Sequence, residues 1–157
     1  MKKMRTFYAL VATAAFSLGS LAALGADTVS SASGVITASV AADLKFVPLD
    51  PADSSGKGVK ISILFGDLKS KGPIGFVSIL PAGFHAGRHM HSSDLYLVSI
   101  KGLYHQFVPG GSEGKPLGAG GHVFVSGNTW HDNHCDEAGG PCWNYNYYPN
   151  GFDKKTM

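Results

Sequence analysis

Two textures of apolar patterning divide the chain. From Phe7 to Leu24 apolar residues run on without a charge, preceded by Lys2, Lys3 and Arg5. A positive head, an apolar run and small residues at Ala23, Gly25 and Ala26 mark a signal peptide, with cleavage expected before Ala26 or Asp27. The run is almost long enough to span a bilayer. Ser17, Gly19 and Ser20 dilute it, so an uncleaved anchor is the weaker reading. Residues 1–26 are read as a signal peptide, and the protein as periplasmic or secreted, with no membrane attachment after cleavage. Residues 27–43 are small, polar and weakly patterned, which predicts a flexible lead-in with one edge strand around Val35 to Val40.

From Leu44 the pattern changes to short apolar runs separated by Gly, Pro, Asp and Ser, the mark of an all-β domain. Strands are predicted at Leu44–Val47, Val59–Phe65, Gly75–Leu80, Arg88–His91, Leu95–Ile100, Leu103–Val108, His122–Ser126 and Cys142–Tyr148. Turn-forming stretches at 50–58, 66–73 and 109–121 lie between them. No stretch after residue 26 keeps a helical period for three turns, and 21 glycines argue against a helical domain. Short strands over 44–153 predict one sandwich or closed barrel, an architecture that hides sheet edges. In the last strand Trp143, Tyr145 and Tyr147 alternate with Asn144 and Asn146, so the three rings share one face. That face is either core or, at Trp143 and Tyr145, the wall of a ligand pocket.

Charge narrows the partners. Residues 1–26 hold three of the 13 Lys and Arg and none of the 11 Asp and Glu, which leaves the remainder at −1. A near-neutral domain offers no basic stripe for nucleic acid and no polybasic patch for lipid. A small-molecule ligand or substrate fits better. Cys135 and Cys142 have six residues between them, and in an oxidising compartment a local disulfide is expected. Zinc ligation by the pair would need two further ligands that the spacing does not supply.

The histidines carry the chemistry. His89 and His91 stand at i and i+2, on one face of a strand and close enough to share an ion. His131 follows a second Gly-bounded strand. Inside a barrel that receives alternate residues, these three make a three-nitrogen site for one divalent metal ion (Fe, Mn, Zn or Ni) with open positions. Metal ligands must be neutral imidazoles, so release is expected below about pH 6 from a reference pKa of roughly 6.5.

The segment Gly83–Gly102 resembles the first motif of the cupin superfamily, G-x5-H-x-H-x3,4-E-x6-G, at Gly83, His89, His91 and Gly102. The segment from Gly120 resembles the second, G-x5-P-x-G-x2-H-x3-N, at Gly120 and His131. KFVPL at 45–49, FGDLKSKGPIG at 65–75, the 80–102 segment and the tail ending in NGFD at 150–153 are similar to a group of small bacterial cupins of unknown function. That group is related to the cupin half of an anti-sigma factor. The resemblance covers nearly all of 44–153 and implies a double-stranded β-helix, or jelly roll, with the metal inside and copies able to pair as a homodimer.

The departures are specific. The first motif's glutamate falls on Leu95 or Tyr96, and Asp94 stands one residue early. Asp94 is either a fourth ligand or outer partner of the metal, or a turn residue capping the Ser92–Ser93 loop. Ser126, Asn128 and Cys135 replace the second motif's proline, second glycine and asparagine. His85, Tyr96, His105 and Gln106 join Trp143 and Tyr145 as pocket candidates: His85 from a loop before His89, and one of His105 and Gln106 by pointing inward. His122 and Arg88 are read as surface residues, and His134 as part of the disulfide loop. The preferred function is a metal-dependent enzyme on a small organic substrate, for which the resemblance implies a dioxygenase-like oxidoreductase. The alternative is a non-catalytic module that binds or senses a small ligand or metal.

Overall fold

The computed structural model describes residues 27–31, 34–38 and 41–157, and the expected signal peptide lies outside them. It divides into two compact units, the second of which is Leu44–Met157. In the first, β1 (Asp27–Ser31) and β2 (Gly34–Ala38) pair antiparallel from Asp27↔Ala38 to Ser31↔Gly34, and a 3-10 turn follows at Ala41–Asp43. A stretch expected to hold one edge strand therefore holds a hairpin. Such a strand has its backbone groups satisfied by a neighbour, which weak apolar patterning does not reveal.

The second unit is built from ten strands: β3 (Val47–Pro48), β4 (Lys60–Phe65), β5 (Ile74–Leu80), β6 (His89–Met90), β7 (Leu95–Lys101), β8 (Tyr104–Phe107), β9 (His122–Val125), β10 (Asp132–Cys135), β11 (Cys142–Tyr148) and β12 (Lys155–Thr156). Six form one antiparallel sheet in the order β3-β4-β5-β11-β7-β9. The others form a second layer of paired strands. β12 pairs with β6 and β10 with β8, while bridges at His85↔His134 and His89↔His131 join the segment around β6 to the one around β10. These are the two sheets of the expected jelly roll. The core between them is Ile61, Ile74, Phe76, Leu80, Leu95, Leu97, Tyr104, Cys135, Cys142 and Tyr148.

The predicted strands recur with ends shifted by a few residues at most, and Cys142–Tyr148 matches at both ends. Two were not predicted, β10 and β12. β10 reads Asp-Asn-His-Cys, a polar string whose alternation is hidden because both of its faces carry polar side chains. It places His134 on a strand, where a loop residue was expected. The disulfide between Cys135 and Cys142 is formed, with Cα atoms 5.7 Å apart. It pins β10 to the start of β11 across the core. Gly102, at φ +88°, is demanded by the same place, since a Cβ there would stand 2.8 Å from the Cα of Cys142.

The alternation read in β11 is present, but its face is the opposite of the one expected. Cys142, Asn144, Asn146 and Tyr148 are buried, while Trp143, Tyr145 and Tyr147 lie half-buried on the outer face of the sheet. Parity is set by the disulfide. Once Cys142 points inward, residues 144, 146 and 148 must follow. Tyr148 then stacks on Phe76, and the outward rings pack on one another. Tyr147 sits between Phe65 and Tyr96, and Tyr96 rests on Phe124, which covers part of each ring.

Candidate metal centre

His89 on β6, His91 just beyond it and His131 just before β10 meet inside the barrel. Residues 89 and 91 share a face by strand parity. Reciprocal backbone hydrogen bonds between His89 and His131 (2.9 and 2.8 Å) set the third ring beside the first. Ring centroids lie 4.3 Å apart for His89–His131, 5.1 Å for His89–His91 and 5.2 Å for His91–His131. The three residues are 3%, 6% and 2% exposed. One ligand nitrogen from each lies within 4.8 Å of the other two.

Each ring is also turned by the backbone. His89 Nδ1–H donates to the Gly87 carbonyl at 2.7 Å, His131 Nδ1–H to the Thr129 carbonyl at 2.8 Å, and His91 Nδ1–H to the Asp153 carbonyl. A carbonyl only accepts, so these contacts assign the proton to Nδ1 and leave Nε2 as a lone pair. The Nε2 of His131 is buried with no hydrogen-bond partner, and that of His91 has only the Tyr148 hydroxyl at 3.4 Å. Outer hydrogen bonds of this kind orient metal-ligating imidazoles. Burial holds all three rings neutral: it lowers His89 and His91 to about 4 and His131 below its usual value. Three clustered neutral imidazoles with unprotonated Nε2 atoms fit a divalent ion of the zinc, iron, manganese or nickel class.

The Asp94 carboxylate goes elsewhere. Its Oδ1 accepts the Gly127 N–H at 2.8 Å, tying the start of β7 to the turn before His131, and among the described residues no carboxylate joins the three-histidine group. It is a turn clamp, although its partner is Gly127 and not the Ser92–Ser93 loop. That loop is held by Asp153, whose carboxylate accepts the Ser92 N–H and hydroxyl at 2.6 Å each. Asp153 thus positions His91 from two directions. The NGFD tail contains this residue, yet only its placement beside His91 reveals what it does.

A cavity of about 80 Å³ opens beside the histidines. Its wall combines His89, His91, Tyr104, Asn144, Asn146, Tyr148 and Lys154 with apolar core residues such as Phe76 and Leu95, and it adjoins a wider opening of about 720 Å³ lined by Leu49, Val59, Phe84, Phe152 and Lys154. Asn144 is 1% exposed and neither end of its amide has a protein partner. Asn146 donates to Ser78 Oγ at 2.9 Å.

Of the residues expected in the pocket, His85, Tyr96, His105, Trp143 and Tyr145 do not line this cavity. Trp143 and Tyr145 are excluded by the parity of β11, and Tyr96, 48% exposed, shares their outer face. His105 lies on the face of β8 opposite Tyr104. Gln106 shares the inward side of β8, accepting the Tyr104 hydroxyl at 2.6 Å, and lines a separate cavity with His131. What β11 gives to the wall is instead two amides and a tyrosine, Asn144, Asn146 and Tyr148. Strand alternation marks these residues as a set, but apolar-inside reasoning assigns them to solvent. Arg88 points outward over the Trp130 ring at 5.5 Å, and His122 is exposed, as expected.

No protein-family model matches the chain, and no curated protein matches it in sequence. Solved structures do. An RmlC-like cupin protein from Ralstonia eutropha superposes with a TM-score of 0.57 at 19% identity, over 71% of this chain and 66% of that one. The DMSP lyase DddQ from Ruegeria pomeroyi gives 0.58 at 17% identity, over 74% and 62%. The Rhodobacter sphaeroides complex of SigE with the anti-sigma ChrR gives 0.52 at 18%, over 69% of this chain and 51% of that one. The match thus spans less than two thirds of each of these proteins. Strand order, the two-layer arrangement and these superpositions agree: the chain has the cupin fold.

Proposed function

We propose that the Leu44–Met157 unit binds one divalent transition-metal ion through His89, His91 and His131 and acts as an exported, metal-dependent enzyme on a small organic substrate. One observation carries the reading: all three Nδ1–H groups are spent on backbone carbonyls, so three unprotonated Nε2 atoms are left on clustered rings, that of His131 buried with no partner and that of His91 touched only by the Tyr148 hydroxyl. When bound, the ion supplies a Lewis acid with positions open to an oxygen ligand. The chain's own residues do the rest. Asn144 offers an unpaired donor and acceptor to a polar group of the substrate, and the Tyr148 hydroxyl stands beside His91 to hold or pass a proton. Lys154 places a cation where the cavity meets the wider opening, which suits a substrate with an anionic or strongly polar group. Phe76, Leu80, Phe84, Leu95 and Phe152 restrict water. Export is supported by the charge and apolar pattern of residues 1–26 and by a disulfide between two fully buried cysteines.

The test is metal analysis of untagged protein beside His89→Ala/His91→Ala, followed by oxygen-consumption assays of the iron-loaded protein with small carboxylates and phenols. Metal in the wild type and its loss at this site in the double variant support the reading. Equal content in both sinks it. Metal binding with no consumption of oxygen or any substrate leaves a binding module in place of an enzyme.

A further inference from the structure

A second group of histidines lies on the outer face of the ribbon formed by β8 and β10. β8 and β10 pair with His134 directly opposite His105, one residue from the Cys135↔Tyr104 pair that faces the core. His105 and His134 therefore share the face turned away from the barrel cavity. The bridge His85↔His134 adds a third ring on the far side. The result is a row across three adjacent chain segments, with His105 stacked on His134 at 4.3 Å and 16°, and His85 on His134 at 4.7 Å and 25°.

Stacked rings alone would be ordinary packing. Two observations go further. His105 is 8% exposed, yet neither of its ring nitrogens has a hydrogen-bond partner, and His134 Nδ1 is buried in the same condition. Buried polar groups are ordinarily paired, so the unmet nitrogens point to a ligand. Glu113, from the Gly-rich segment between β8 and β9, brings a carboxylate to the pair. Its Oε2 lies 3.9 Å from His105 Nδ1 and 3.8 Å from His134 Nε2, longer than hydrogen bonds. Ligand atoms around a tetrahedral zinc ion stand roughly 3.3 Å apart. The three are thus spaced to close on an ion with small side-chain movements, and all three ligand atoms already lie within 4.8 Å of one another.

We propose that His105, His134 and Glu113 form a second metal site, distinct from the barrel centre, for a zinc-class divalent ion. Two imidazoles and one carboxylate suit zinc, cobalt or nickel and are too nitrogen-rich for magnesium or calcium. Glu113 is half-exposed, so solvent completes the coordination, and the ion would fasten the segment after β8 onto the β8–β10 ribbon. The site draws on no residue of the three-histidine centre and stands or falls separately from it.

Calorimetric titration of the metal-stripped full chain with Zn²⁺ tests it. His105→Gln/His134→Gln is expected to bind one equivalent fewer than wild type with an unchanged far-UV circular dichroism spectrum, while His89→Ala/His91→Ala keeps that equivalent. Glu113→Gln, a half-exposed change outside the strands, should weaken the same equivalent by more than about tenfold, the least that even an outer-shell partner supplies. If the wild type binds a single equivalent and only Glu113→Gln and the His105/His134 variant remove it, this site exists and the barrel centre does not. Unaltered stoichiometry in His105→Gln/His134→Gln overturns the proposal. Should that variant not fold, unaltered affinity in Glu113→Gln overturns it alone.

Discussion

Replacing Asp94 with alanine separates the two roles open to its carboxylate. As a metal ligand its loss would lower metal affinity; as a clamp on the Gly127 N–H its loss lowers stability. The geometry gives a 2.8 Å hydrogen bond to a charged acceptor, in a half-buried turn. Bonds to charged groups contribute about 1.5–3 kcal/mol, and partial exposure selects the lower end, about 1.5–2 kcal/mol. The turn has little freedom to repack, because even a Cβ on Gly127 would stand 2.5 Å from the Ser92 carbonyl oxygen. For a domain of about 100 residues that loss lowers Tm by roughly 6–10 °C. The assay is thermal unfolding followed by circular dichroism, paired with metal analysis of the same sample. Asp94→Ala should unfold earlier with metal content unchanged, and Asp94→Asn, which keeps an acceptor oxygen, should recover most of the stability. Loss of metal at unchanged Tm would refute the assignment and restore Asp94 as the substitute for the motif glutamate.

Further predictions follow from burial and pairing. Cys135→Ala/Cys142→Ala should lose about 2.5 kcal/mol in urea unfolding, the chain entropy of so short a loop, and still bind metal; no loss would mean the bridge is absent in solution. Asn144→Leu removes a buried amide with no protein partner, so the metal-free domain should be unchanged or gain up to about 2 kcal/mol. A loss in that variant would show the amide to be satisfied, most simply by water. His89 and His91 have folded-state values near 4 against 6.5 unfolded, because burial disfavours the charged ring. Between those values the unfolded chain takes up protons that the folded one does not. Metal-free stability therefore holds above pH 7 and falls as pH drops from 6.5 toward 4, by up to about 1.4 kcal/mol per pH unit for each ring. The same burial moves metal release below the pH 6 inferred from free imidazole, so the loaded protein should keep its ion at pH 5.5. Unchanged unfolding midpoints from pH 7 to 4.5 would contradict the burial of these rings.

The sequence made the barrel legible because turn-forming glycines and prolines punctuate strands whose apolar residues pack the core. His89, His91 and His131 were legible too: i, i+2 spacing fixes a shared face in any strand, and the third ring follows from closure of the sheet. The pocket was not. Beside the apolar core residues its wall takes Asn144, Asn146 and Tyr148, and the rule that apolar residues face inward does not find the few polar groups that a binding cavity carries. The parity is fixed by Cys142, which is bonded to Cys135 and 0% exposed, and that burial is visible only in the structure. Asp153 and the His105–His134–Glu113 group depend on tertiary contacts across 62 and up to 29 positions of chain, which no local pattern records.

The most direct test of the central claim is X-ray absorption on the zinc-loaded protein in the His105→Gln/His134→Gln background, where only the barrel centre can contribute. Three imidazole nitrogens at about 2.0–2.1 Å, with light oxygen scatterers completing the shell, are predicted. A shell with one imidazole or none would contradict the convergence of His89, His91 and His131 on a single ion.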